Sequence, residues 1–447
     1  MLRRCNATFK QGIRFAQWRF APDAVPGDHY FHAFQNSYAP GGLDLLPYWL
    51  AGVAGDASWS EVNSAQKAAA DAGRAPKAAS HPEFFGPLNY AYHFDAVTLS
   101  HLLRDQAVAN GVRHLTDTVL EVLLAEDGAI AGVRTEANGL RTADLYIDCT
   151  GFRAELIGKA LGVPYRSCND TLFCDSALTL QIPYERPDSP IASCTIATAR
   201  EAGWIWDIGL DSRRGIGHVF SSGHMDDAEA EASLRAYIGP AAEGLEMRRF
   251  RFEAGYRETS WHKNCVAIGL SSGFLEPLES TGIIFSELAA ALVANLFPWG
   301  GDFETSARQF NKNMQRRYAR ARDFLKLHYC ITERRDTQFW QDNVDPSSIS
   351  DSLLDLLDRW RFRAPNELDI DPNIDIFTES SWQYVLYGMG WETDLAARAG
   401  TLRYEEDARR AFAEVKRQGE FAVANLPGNR ELVQYARAGG QFGEEGA

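Results

Sequence analysis

The sequence contains no Cys-x-x-Cys pair, and its seven cysteines (5, 149, 168, 174, 194, 265 and 330) are scattered and odd in number. That argues against a disulfide framework and against a zinc site, and reads as reduced thiols in a cytoplasmic protein. No apolar run reaches membrane-spanning length: the best, 282–297, is broken by Ser286, Glu287 and Asn295. The opening MLRRCNATFKQG has none of the apolar stretch of a secretory signal. No Lys/Arg run builds a basic face, and a net charge of −15 is the wrong sign for a nucleic-acid partner. The acidic excess serves solubility. Internal repeats and low-complexity tracts are missing too. Finally, no strand–GxGxxG–helix stands near the start, so the usual unit for cradling a dinucleotide pyrophosphate is not in its expected place.

What is present is an ordinary globular composition over 447 residues, 45% hydrophobic, with 11 Trp and 25 Phe that suggest aromatic-lined cavities. The pattern predicts a short helix around Lys10, a strand over 12–18 and an aromatic loop, DHYFHAF. A helix over 96–110 follows, then paired strands over 111–134 turning at Asp127-Gly128. ADLYIDCTG (143–151) reads as a buried strand running into a Gly turn, with a helix at 154–161. The middle, 175–225, alternates as strands, CVAIGL (265–270) is another, and ESTG opens a further helix. Beyond Asp302 the chain is chiefly helical, which divides it into 1–300 and 301–447. CTGF and ESTG share one logic: a strand hands over to a helix start, where unpaired N–H groups and the helix dipole favour anions. Each is weak evidence alone.

Several residues stand out by type and place. Lys10 is flanked by Phe9, Ile13 and Phe15, which mildly favours burial over the usual solvated surface charge. Glu279 precedes Ser280-Thr281-Gly282, where the bland reading is a helix cap and the other is an acid beside an anion site. Trp204 and Trp206, two apart in a strand, face the same side; core packing is the ordinary reason for such a pair.

Taken together, GWIWDIGL (203–210), GFLEPLESTGI (273–283), NYAYHFDA (89–96), IDCTGFRAELI (147–157) and CNATFKQGIRF (5–15) resemble segments of the flavin-dependent tryptophan halogenases. The joining of Trp-x-Trp with Glu-Ser-Thr-Gly is the specific part, and the resemblance extends over nearly the whole chain. It implies an α/β, flavin-monooxygenase-like FAD-binding fold of the para-hydroxybenzoate hydroxylase type, with mixed sheets and a helical C-terminal part. The first βαβ GxGxxG unit is expected to be missing, as if the chain were shortened at its N-terminus. The implied cofactors are FAD, as FADH2 from a separate flavin reductase, and chloride or bromide; the substrate is a small aromatic molecule. A homodimer is compatible with the family.

The resemblance also implies roles. Lys10 aims the halogen, as an ammonium polarising hypohalous acid or as a haloamine, and Glu279 takes the ring proton or balances Lys10. Thr281 and Gly282 offer backbone N–H groups to the halide. Trp204 and Trp206 screen flavin from substrate, with Gly209 standing where the family has Pro. Val119, Leu270 and Ile283 touch the flavin, and His32 and Phe34 stack on the substrate's indole. In DPNIDIFTESSWQYVLYG (371–388), Ile376-Phe377 and Trp382-Gln383 replace aromatic pairs that hold free tryptophan, and the family's Glu is missing there. The expectation is therefore an indole-type substrate other than free tryptophan. Two alternatives stay open: an aromatic monooxygenase, and an inactive remnant that does not bind flavin.

Overall fold

The computed structural model describes residues 2–395 and 400–443. Its centre is a seven-stranded sheet in the order 248–251, 176–183, 213–220, 203–209, 195–200, 12–16, 29–33. All neighbours are antiparallel except Thr195–Arg200, which runs parallel to Gly12–Ala16 with Thr195 opposite Ile13. The middle strands are covered on both faces: Trp204 and Val219 pack into one apolar cluster, Ile205 and Ile216 into another. In Gly203–Gly209, Trp204 is buried while Trp206 is half-buried. Gly217, opposite Trp206 on the next strand, has to be glycine: a Cβ there would lie 2.1 Å from the Trp206 ring.

Two local expectations are corrected. Lys10 sits in a strand, Thr8–Lys10, and not in a helix, because that segment pairs antiparallel with Ala91–His93. DHYFHAF is not a loop: His29–Ala33 forms the edge strand beside Gly12–Ala16, with His32 opposite Ile13. In both cases the partner strand lies far along the chain or across a turn, where periodicity does not see it.

Other elements fall where the pattern places them. Helix Ala96–Ala109 is N-capped by Asp95, and Val119–Leu124 pairs with Ile130–Thr135 around the 125–129 turn. The CTG turn is built on Asp148, whose buried carboxylate accepts the N–H groups of Thr150, Leu156 and Ile157. The expected helix at 154–161 is present as a π-helix over Glu155–Ala160, and Asp148 takes the otherwise free early amides of Leu156 and Ile157. Helix Phe303–Cys330 carries one long stripe into the core, with Phe310, Met314, Tyr318, Ala321, Phe324 and His328 all buried. One apolar core runs from Ile13 to Phe412, so both stretches of the chain pack on it. No helix among the described residues is long and apolar enough to cross a membrane. The α/β class with mixed sheets and a helical C-terminal part holds.

Candidate active site

The sheet and helix Thr281–Leu296 enclose an apolar cavity of about 450 Å³. Trp204 and Trp206 form one wall, Ile13, Thr195 and Ala197 another, and the segment from Gly273 to Ile283 closes it. That segment reaches the helix through two consecutive non-glycine residues in the left-handed region, Glu279 (φ 63°) and Ser280 (φ 58°). Each costs about 1–2 kcal/mol that the surroundings must offset. In return the carboxylate of Glu279 turns inward and the helix begins with no side-chain cap. Its first amides therefore open on the cavity beside Thr281 and Gly282, and nothing lies within 4 Å of where a Gly282 Cβ would stand.

Glu279 is the hinge of the site. His32 Nδ1 and His328 Nε2 both donate to its Oε1, at 2.8 and 3.1 Å, and all three side chains are buried. Burial pushes the acid up, but the two histidines overcome it and bring it down to about 2. His328 is further fixed by a bond of 2.9 Å from Nδ1 to the Phe324 carbonyl. A carbonyl only accepts, and so does a carboxylate. Both nitrogens of His328 must then carry hydrogen, which makes the pair an imidazolium beside a carboxylate.

Lys10 does not line the apolar cavity, although Glu279, whose charge acts on its amine, does. Lys10 is 7% exposed, and among the described residues its amine makes no hydrogen bond or ion pair; Phe34 faces it at 5.2 Å. Burial lowers its pKa from 10.5 to about 8 against the attraction of Glu279. Phe34 in turn meets the His32 ring edge-on at 6.3 Å. The structure thus gathers Lys10, His32, Phe34 and Glu279 on one side, and Glu279, Trp204, Trp206, Thr281, Gly282, Leu270 and Ile283 on the other. Val119 does not line this cavity; it sits 42% exposed on the 119–124 strand, comparable with Leu270 and Ile283.

Sequence reasoning missed His328, whose place is evident only once helix Phe303–Cys330 packs behind Glu279. It also missed the buried cluster beneath the loop. There Tyr329 donates to Glu276 at 2.9 Å, and Lys326 donates to Asn343 at the same distance. Burial raises Glu276 to about 8, opposed by Tyr329 and Lys326. The expected substitutions at the substrate end are corrected in role. Phe377 stacks on Phe324 at 3.8 Å, Trp382 is wedged between Phe324 and Trp360, and Gln383 donates to the Pro365 carbonyl. Trp382 and Gln383 are buried packing residues, while Ile376 and Phe377 lie half-buried against the same core.

A family model described as tryptophan halogenase matches residues 1–402. The tryptophan 6-halogenase SttH of Streptomyces toxytricini is 36% identical over 449 residues, covering 96% of this chain and 84% of that protein. The solved tryptophan halogenase of Shewanella frigidimarina superposes with a TM-score of 0.94 at 38% identity, over 99% of this chain and 84% of that one. Tar14, a tryptophan C-6 flavin-dependent halogenase from taromycin biosynthesis, gives 0.90 at 35%, over 97% and 86%. These matches take in nearly the whole of this chain and do not bear out the expected N-terminal shortening. Matched through residue 402 and by relatives of this closeness, the chain belongs to the tryptophan halogenase family and is an enzyme of the flavin-dependent halogenase type.

Proposed function

We propose that the enzyme chlorinates or brominates the indole ring of tryptophan, with Lys10 as the group that delivers the halogen. Tryptophan replaces the sequence expectation of another indole-type substrate: the relatives are named for acting on it, and Trp382 and Gln383, two of the residues thought to exclude it, are packed in the core. The observation that carries the reading is the unpaired, buried amine of Lys10. Glu279, which attracts that amine, also lines a Trp-walled cavity that ends on an uncapped helix.

The residues present fit the flavin ring. Leu270 and Ile283, 39% and 56% exposed, edge the cavity as an apolar rim, and the space above Gly282 lets a planar group approach the backbone. They would hold the ring, and reduced flavin with oxygen supplies the oxidising equivalent that turns halide into hypohalous acid. Val119 is left out of this set.

The halide's place would be the open amides at Thr281 and Gly282. Glu279 does not repel it, because the imidazolium of His328 cancels the acid's charge at 3.1 Å. Trp204 and Trp206 keep an aromatic substrate out of the cavity by bulk, which favours halogenation over direct oxygen transfer. Lys10 as an ammonium donates to the oxidant's oxygen and polarises the oxygen–halogen bond. With its pKa near 8, roughly a tenth is neutral amine at pH 7, so the haloamine route has reactant too. Phe34 supplies a ring face for the indole, a contact of about 0.5–1.5 kcal/mol beyond burial.

The test is incubation with FAD, a flavin reductase, NADH, tryptophan and either bromide or chloride, read by the halogen isotope pattern in mass spectrometry. Halide-dependent product from the wild type and none from Lys10→Ala is expected. Hydroxylated product without halide dependence would favour the monooxygenase instead.

A further inference from the structure

When the halogen bonds to the ring, the same carbon still carries its hydrogen. The C–H bond must break, its electron pair return to the ring, and the proton go to a base. That base must reach the substrate side and keep a free lone pair, and the site holds four candidates.

Lys10 is a donor while charged, and a haloamine after taking the halogen. Glu279 has Oε1 occupied by two N–H groups, and its affinity for a proton is reduced by both. Its Oε2 makes no hydrogen bond among the described residues, but a carboxylate held near 2 by two N–H groups is a far weaker base than an imidazole. His328 has both nitrogens consumed. His32 alone remains. Its Nδ1 donates to Glu279, while among the described residues its Nε2 has no partner and is not fully sealed from open space. Phe34 meets the His32 ring edge-on at 6.3 Å and the Lys10 amine stands 5.2 Å from Phe34, so a single ring links His32 to the group that handles the halogen.

We infer that His32 is the catalytic base that removes the ring proton, and that Glu279 acts on it as a positioning residue. The carboxylate fixes the tautomer through Nδ1–H, leaves Nε2 as the acceptor, and stabilises the imidazolium formed when the proton arrives. This is the division of labour between acid, histidine and substrate in a hydrolytic triad, used here on carbon. His328 keeps Glu279 ionised, so the carboxylate does not itself compete for the proton. The balance is simple: C–H breaks, N–H forms, the ring regains its electron pair, and His32 later releases the proton to water.

The inference rests on the halogenase reading above, and the experiment separates the two. His32→Asn keeps an amide N–H near the position of Nδ1 but has no base at the position of Nε2. Turnover is measured for wild type and variant with bromide and with tryptophan carrying either hydrogen or deuterium on its ring. The expected result is a fall in kcat of roughly 10²–10⁴-fold, together with a deuterium isotope effect that the wild type lacks. His32→Gln, a second neutral replacement, must show the same isotope effect; it carries the test should the Asn variant fold poorly. A kcat within a few-fold of wild type and no isotope effect would reduce His32 to holding Glu279. A raised KM alone would reduce it to a stacking ring; either result overturns the assignment. Absence of any halide-dependent product from the wild type sinks the halogenase reading itself, and this inference with it.

Discussion

Lys10→Met should make the enzyme more stable while ending halogenation. The ammonium is buried with no ionic or hydrogen-bonded partner among the described residues, and its pKa falls from 10.5 to about 8 even after Glu279 attracts it. The folded state therefore binds that proton less tightly than the unfolded chain by about 2.5 pK units, which corresponds to about 3 kcal/mol of penalty at neutral pH. Met fills a similar volume and carries no charge. Spread over the unfolding entropy of 447 residues, 3 kcal/mol is a rise in Tm of about 3 °C. The sign with pH follows from the lowered value. The penalty is complete below about pH 8, shrinks as Lys10 loses its proton, and is gone above pH 10.5, where both states are neutral. Thermal unfolding of wild type and Lys10→Met at pH 7 and pH 10 reads this directly. The variant should be the more stable at pH 7, with most of the gap closed at pH 10. A variant less stable at pH 7, or a gap that ignores pH, would mean that the amine is not the uncompensated buried charge described here.

Glu279→Gln tests the opposite balance. The carboxyl is lowered from 4.5 to about 2, so ionised Glu279 contributes up to about 3 kcal/mol. That stability is fully present above pH 4.5 and disappears as the pH falls through 2. The variant should be less stable than wild type at pH 6, and chemical denaturation at successively lower pH should show the difference narrowing. Gly217→Ala leaves every cavity residue in place, but its new Cβ would meet the Trp206 ring at 2.1 Å, so the ring must move. Halogenated product per NADH consumed should fall as the screen opens, with overpacking costing about 1–3 kcal/mol in unfolding. An unchanged yield would remove Trp206 from the screening wall.

Much of this was legible without coordinates. The same-face spacing of Trp204 and Trp206 survives as a cavity wall, because a strand forces residues two apart onto one side. The ESTG junction survives as an open helix start. The departures have physical causes. Lys10 and the DHYFHAF segment were misassigned because short strands are decided by partners: Thr8–Lys10 by Ala91–His93, and His29–Ala33 by Gly12–Ala16. Trp382 and Gln383 look like altered ligands only while the chain is read as a line. Once Phe324 arrives on the long helix, they are packing residues. His32 was expected as a stacking ring; its bond to Glu279 depends on a left-handed acid that no propensity predicts.

The deeper reason the site resists reading is that its charges are settled by three segments far apart in sequence. Glu279 is acidic enough to stay ionised in an apolar pocket because His32, far earlier in the chain, and then His328, 49 residues later, each bring an N–H to it. With that charge cancelled, a halide at Thr281 and Gly282 meets little repulsion, and Lys10 keeps an amine that no carboxylate has captured. A direct Lys10–Glu279 ion pair would be the more stable arrangement, but it would occupy the amine that must handle the oxidant. The two histidines hold the acid away from that role. The site therefore accepts an uncompensated lysine and a strained turn, and the net penalty predicted for Lys10 measures how far stability has been given up to keep the amine free.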